Sequence, residues 1–169
     1  MKQILNYLGF LALVLSIVFF SSYSFAEEEV SKERIEFELA QGERVNNALM
    51  LANVMICEAS VEGRVGMLAV ADVVLNRVNH PRFPDTIEGV IYQRHQFECI
   101  QKGKNYGFND YGFREVYLLA LDKLDGKTPR ITKATHYYQH VAMPKPPFWA
   151  KREHFLGKIG NHSFFYPYP

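Results

Sequence analysis

Val65–Val78 leaves this chain few ways to fold. In helical projection Met67, Val70, Ala71, Val74, Leu75 and Val78 share one face, and Leu68, Ala69 and Val73 lie beside it. The segment therefore has almost no polar side to offer water. A helix of that kind is stable when neighbours wrap it, which predicts that it is the centre of the domain. Gly63 marks off its start. His80-Pro81-Arg82-Phe83-Pro84 stops it, because proline cannot donate the backbone hydrogen bond that a helix interior needs. Before it, Val45–Ala59 carries Ala48, Leu51, Ala52, Met55 and Ala59 at helical spacing. After it, Asp85-Thr86-Ile87-Glu88 reads as a capping box that opens a short helix through about Tyr92. Gln101–Gly112, rich in Gly, Asn and Asp, reads as a loop. Phe113–Leu124 is a third substantial helix, ended by Asp125-Gly126. Ala134–Gln139 and His162–Tyr166 are aromatic-rich and read as short strands that pair across the Pro-rich loop Met143–Phe148. The expected fold class is α+β, with helices first and a small antiparallel sheet at the C-terminal end.

The folded part is expected outside the cytoplasm. Met1–Ala26 reads as a signal peptide: Lys2 gives the positive start, Leu8–Phe20 the apolar region, and Ser24-Phe25-Ala26 the small residues of a cleavage site. The alternative is an uncleaved anchor over residues 4–20, at the lower edge of what spans a bilayer. Cleavage is the reading preferred, with a periplasmic or extracellular mature protein. Residues 27–44 then form a charged lead-in, and residues 45–169 the single remaining domain. The chain has 19 basic and 18 acidic residues and no basic block, which excludes a nucleic-acid partner. Thirteen Phe and ten Tyr suit a carbohydrate or peptide ligand, since flat rings stack on flat faces, although most such rings build core. The two cysteines, Cys57 and Cys99, are an even pair in an oxidising compartment and are expected to form a disulfide, two buried thiols being the alternative.

Glu58 is the candidate for chemistry. It lies seven residues after Leu51, on nearly the same apolar helical face. A carboxyl held against apolar surface favours its neutral form, and a neutral carboxylic acid can give a proton to a glycosidic oxygen. Helix-end glutamates are also commonly just solvated, so the pattern alone leaves both readings open.

The surrounding motifs resemble a known family. Cys57-Glu58-Ala59, Ala69-Val70-Ala71-Asp72-Val73-Val74-Leu75-Asn76-Arg77-Val78, Phe83-Pro84-Asp85-Thr86-Ile87, Gly89-Val90-Ile91-Tyr92-Gln93 and Gln96-Phe97 are similar, in this order, to the SleB-type cell wall hydrolases, the family of the spore cortex-lytic enzymes. So are Ala134-Thr135-His136-Tyr137-Tyr138, Trp149-Ala150 and Ile159-Gly160-Asn161-His162 with Phe164-Phe165-Tyr166. The resemblance covers about Leu51 to Tyr166. It implies a compact lysozyme-like domain that cuts peptidoglycan glycan strands between N-acetylmuramic acid and N-acetylglucosamine, as a lytic transglycosylase with Glu58 as general acid and then base. Four positions depart from the family's usual residues: Cys57 stands for a small residue, Ser60-Val61 for Arg-Gly, and Asp72 for a small apolar residue. The spore enzymes also carry an N-terminal peptidoglycan-binding repeat; none is read here, so the expectation is a compact envelope enzyme.

The resemblance also implies substrate-binding roles for Gln96, Phe97, His136, Tyr137 and His162. Tyr137 and Tyr138 should face opposite sides of the sheet. Glu62, one turn from Glu58, is either a second carboxylate for a hydrolytic water or, preferentially, a solvated residue. Asn76 and Arg77 either orient Glu58 or make ordinary helix-end hydrogen bonds, and Trp149 is expected to pack. No cofactor or metal is expected. The partner is peptidoglycan, with a monomeric enzyme under the control of a regulatory protein. The competing readings are a wall peptidase or amidase using Cys57 with His136 or His162, a zinc enzyme using those histidines and a carboxylate, and a peptidoglycan-binding module without activity.

Overall fold

The computed structural model describes residues 32–166; the expected signal peptide, residues 1–26, lies outside them. Residues 32–43 are helical and exposed and belong to a unit of their own. The second unit begins at Arg44 and carries everything that follows. Among the described residues no helix is long and apolar enough to cross a membrane.

Helix α1 (residues 44–59) and helix α2 (Gly63–Val78) form the centre, joined by a single 3₁₀ turn, Ser60–Glu62. The apolar repeat of α1 is fully buried at Ala48, Leu51, Ala52, Met55 and Ala59. Helix α2 is buried at Leu68, Ala69, Val70, Ala71, Val73 and Val74, as its composition requires. Helix α3 (Ile87–Ile91) and helix α5 (Phe113–Leu124) pack on α2, α5 through Phe113, Val116, Leu119 and Ala120. The start of α3 differs from the expected capping box. Thr86, not Asp85, is the N-cap, its hydroxyl accepting from the Gly89 N–H, so Glu88 falls one position short of the reciprocal bond. A further short helix, α4 (Glu98–Gln101), stands where the sequence shows only the lead into a loop.

The sheet has three strands in the order β1-β3-β2, all antiparallel: β1 (His136–Gln139), β2 (Phe155–Ile159) and β3 (His162–Phe165). Strand β3 is central and buried along its whole length. The β1–β3 register sets Tyr137 opposite Phe164 and Gln139 opposite His162. Strand β2 adds to the two expected strands. Its sequence hides it, because it is an edge strand with Gly157 inside and a bulge between Phe155 and Gly157. The α+β class holds, with the sheet at the C-terminal end.

Candidate active site

Glu58 occupies the last turn of α1, half-buried. The hydroxyl of Tyr137, on β1, donates to its Oε2 at 3.0 Å. Its Oε1 lies 3.1 Å from Sγ of Cys99. Cys57 and Cys99 are joined in a disulfide, so that sulfur has no hydrogen to donate. It is a weak acceptor, and a protonated Oε1 can donate to it, whereas a carboxylate oxygen would meet only lone pairs. Burial pushes the Glu58 carboxyl above the usual range; the Tyr137 hydroxyl pulls it partly back, and the charge of Glu98 pushes it up again. The negative end of the α1 dipole disfavours the ionised form in the same sense. Glu58 is therefore built to hold its proton longer than an ordinary glutamate.

A cavity of about 280 Å³ opens beside it, lined by Glu58, Arg77, His95, Gln96, Phe97, Glu98 and Tyr137. Of the candidates named from sequence, Gln96, Phe97 and Tyr137 share this cavity with Glu58. Arg77 organises the wall: its Nε donates to the Thr135 carbonyl at 2.7 Å and its Nη1 to Gln96 Oε1 at 2.8 Å. Its guanidinium also lies 5.2 Å from the Phe83 ring centre and 5.5 Å from that of Phe97. One buried cation thus aligns the lead-in to β1 with the loop that presents Gln96 and Phe97. Neighbouring Asn76 instead bonds the Thr132 and Ala134 carbonyls. A larger cavity of about 420 Å³ has Arg130 and Lys133 in its lining but no carboxyl group.

The two histidines are not in the cavity lining. His136 packs between Phe83 and Trp149, its ring centre 4.9 Å from that of Trp149, and burial lowers its pKa to about 4. His162 lies behind Tyr137, edge-on at 5.1 Å. Tyr138 faces the other side of the sheet, toward Trp149 and Phe165, and Trp149 packs on His136, Tyr138 and Phe165.

Glu62 is a correction. The expectation was a solvated turn residue, but its side chain is 1% exposed, 3.6 Å from Nδ1 of His162, and among the described residues neither carboxyl oxygen has a hydrogen-bond partner. Two glycines make its slot. A Cβ on Gly66 would come within 2.2 Å of Glu62 Cβ, and one on Gly160 within 2.4 Å of its Cγ. Glu62 does not line the Glu58 cavity. Cys57, engaged in the disulfide, has no thiol with which to act as a nucleophile. His95 and Glu98 were passed over from sequence. Their only distinguishing signal is adjacency to Gln96-Phe97 and Cys99.

The family model for Cell Wall Hydrolase matches residues 61–165. Among curated proteins, the chain is 34% identical over 119 residues to a spore cortex-lytic enzyme of Halalkalibacterium halodurans, covering 70% of this chain and 34% of that protein. It is 31% identical over 119 residues to that of Bacillus subtilis, covering 70% and 37%. The chain thus spans about a third of the length of these relatives. It is 30% identical to the cell wall hydrolase CwlJ of Bacillus subtilis over 70% of this chain and 83% of that one. Among solved structures, it matches the catalytic domain of the germination-specific lytic transglycosylase SleB from Bacillus anthracis with a TM-score of 0.59 and 29% identity, over 72% of this chain and 94% of that one. The Bacillus cereus SleB catalytic domain matches with a TM-score of 0.56 and 27% identity, over 72% and 90%.

Proposed function

This chain belongs to the cell wall hydrolase family, and from that premise we propose that it cleaves peptidoglycan glycan strands as a lytic transglycosylase with Glu58 as its acid and base. The observation that carries the reading is the environment of Glu58: a carboxyl pushed toward its neutral form, facing a cavity, with one hydroxyl donor on its other oxygen. In the first step Glu58 gives its proton to the oxygen between N-acetylmuramic acid and N-acetylglucosamine, and the bond from that oxygen to the muramic C1 breaks. The Glu58 carboxylate then takes the proton of the muramic C6 hydroxyl, whose oxygen closes on C1. No water is consumed and Glu58 ends protonated. The route needs one proton-transferring carboxylate, in keeping with the burial of Glu62 away from the cavity.

In this reading Gln96, Phe97 and Tyr137 meet the sugar: Gln96 as a hydrogen-bonding amide held by Arg77, Phe97 as an apolar wall, Tyr137 as the partner of the acid. His162 serves the site through Tyr137, and His136 through the packing of β1. The substrate requires action outside the cytoplasm, in line with the signal peptide expected at residues 1–26.

The test is mass spectrometry of purified sacculi digested with the protein. Release of 1,6-anhydro-muropeptides supports the transglycosylase route. Products with ordinary reducing ends would replace it by hydrolysis, and stem-peptide fragments with intact glycan would reject glycan cleavage.

A further inference from the structure

Glu58 shares its cavity with a second carboxylate, Glu98. One crosslink brings them together. Cys57 precedes Glu58, Cys99 follows Glu98, and the disulfide between those cysteines spans a sequence separation of 42 with Cα atoms 6.3 Å apart. Consecutive Cα atoms are about 3.8 Å apart, so the Cα atoms of the two glutamates are separated by no more than about 14 Å. The Cys99 sulfur itself touches Glu58 at 3.1 Å.

The backbone before Glu98 holds an uncommon conformation. His95 and Phe97 are the described non-glycine residues with positive φ, 62° and 44°. Side-chain-bearing residues hold that conformation where the surroundings impose it, and such positions cluster at functional sites. Here the imposed turn carries Gln96 and Phe97 into the cavity and starts α4 at Glu98.

The two carboxyls live in opposite environments. Glu58 is half-buried, and burial raises its pKa. Glu98 is exposed, and the Lys102 ammonium, 2.6 Å from its Oε2, holds it in the ionised form. Carboxyls held apart in this way supply an acid and an anion to one site. We propose that Glu98 is a second catalytic carboxylate of this site, its ionised group facing the positive charge that builds on the sugar ring as the glycosidic bond breaks. It forms no bond and takes no proton. Its interaction strengthens as charge develops, so it acts on the transition state more than on bound substrate. This inference rests on the glycan-cleavage reading.

The other groups facing Glu58 are Tyr137 from β1, Arg77 from α2 and His95 from the loop before α4, with Lys102 acting through Glu98. Glu58 must be protonated to act first, so the rate falls as pH rises through its pKa. The charge of Glu98 holds that basic limb at higher pH. The test is the pH profile of muropeptide release from sacculi by the full-length protein, Glu98→Gln and Lys102→Met. Both variants sit on exposed side chains, so folding is preserved.

Glu98→Gln should lower kcat roughly tenfold to a hundredfold with KM little changed, and move the basic limb to lower pH. Lys102→Met, which leaves the Glu98 charge uncompensated, should move the limb to higher pH. An active wild type with a Glu98→Gln variant equal to it in rate and limb overturns the assignment alone. A slower variant whose limb stays in place marks Glu98 as structural support and also overturns it. A wild type that releases no glycan fragments overturns the cleavage reading and this assignment with it.

Discussion

The Tyr137 hydroxyl donates to the carboxyl of Glu58, the proposed acid. Its bond favours the charged form of Glu58, against burial and the Glu98 charge, which favour the neutral form. Tyr137→Phe therefore leaves the upward push unopposed. The basic limb of the pH–rate profile should move to higher pH, while the rate at its maximum falls roughly fivefold to tenfold for one lost hydrogen bond. A limb that moves down, or stays, would contradict the pairing. At this scale the sequence exposed part of the site. Glu58, Gln96, Phe97 and Tyr137 sit in recognisable motifs, and the structure gathers them around one cavity. The burial of Glu62 was not legible, because it depends on Gly160 and His162, about a hundred residues downstream, meeting Gly66 around one side chain. For Arg77 the sequence left an orienting role and ordinary helix-end hydrogen bonding equally open. Its role comes from Thr135 and Gln96, which the local pattern does not place beside it.

Between elements, a buried ion pair joins Asp72 on α2 to Lys123 on α5, 2.5 Å apart with side chains 3% and 5% exposed. Asp72 Oδ2 also accepts from the Ile131 and Thr132 N–H groups, so one carboxylate joins α2, α5 and the approach to β1. Here the departure from a small apolar residue acquires a physical reason. Asp72→Ala would leave the Lys123 ammonium buried without its counter-ion, and should cost about 3–5 kcal/mol in denaturant unfolding. Asp72→Ala with Lys123→Met removes both charges and should recover a large part of that loss. A double variant as unstable as the sum of the two single ones would show that the pair is not coupled. The helices were legible where apolar spacing was long and regular, as in α1, α2 and α5. Helix α4 and strand β2 were not. One is a single turn set by a strained loop, and the other is an edge strand held by pairing with β3 rather than by its own alternation.

For the molecule as a whole, the disulfide joins the end of α1 to the start of α4, and so ties core to cavity wall. Closing a loop with a separation of 42 is worth about 4 kcal/mol through the unfolded state. Reduction should lower Tm. At a temperature where the reduced protein stays folded, it should also lower the rate of muropeptide release, since Gln96, Phe97 and Glu98 lose their anchor. Equal Tm and rate with and without reductant would contradict that role. The fold class was readable because an all-apolar helix must be enclosed. The meeting of Glu58, Arg77, Glu98 and Tyr137 was not, since four elements distant in sequence supply it. The most direct measurement is the rate of muropeptide release from sacculi by Glu58→Gln beside the wild type, with Tm recorded for both. The amide keeps the shape of the side chain and cannot give up a proton. If Glu58 is the acid, release should fall at least about a thousandfold with Tm essentially unchanged, near the upper range for loss of a general acid. A folded Glu58→Gln protein that still releases muropeptides at the wild-type rate would place the chemistry elsewhere.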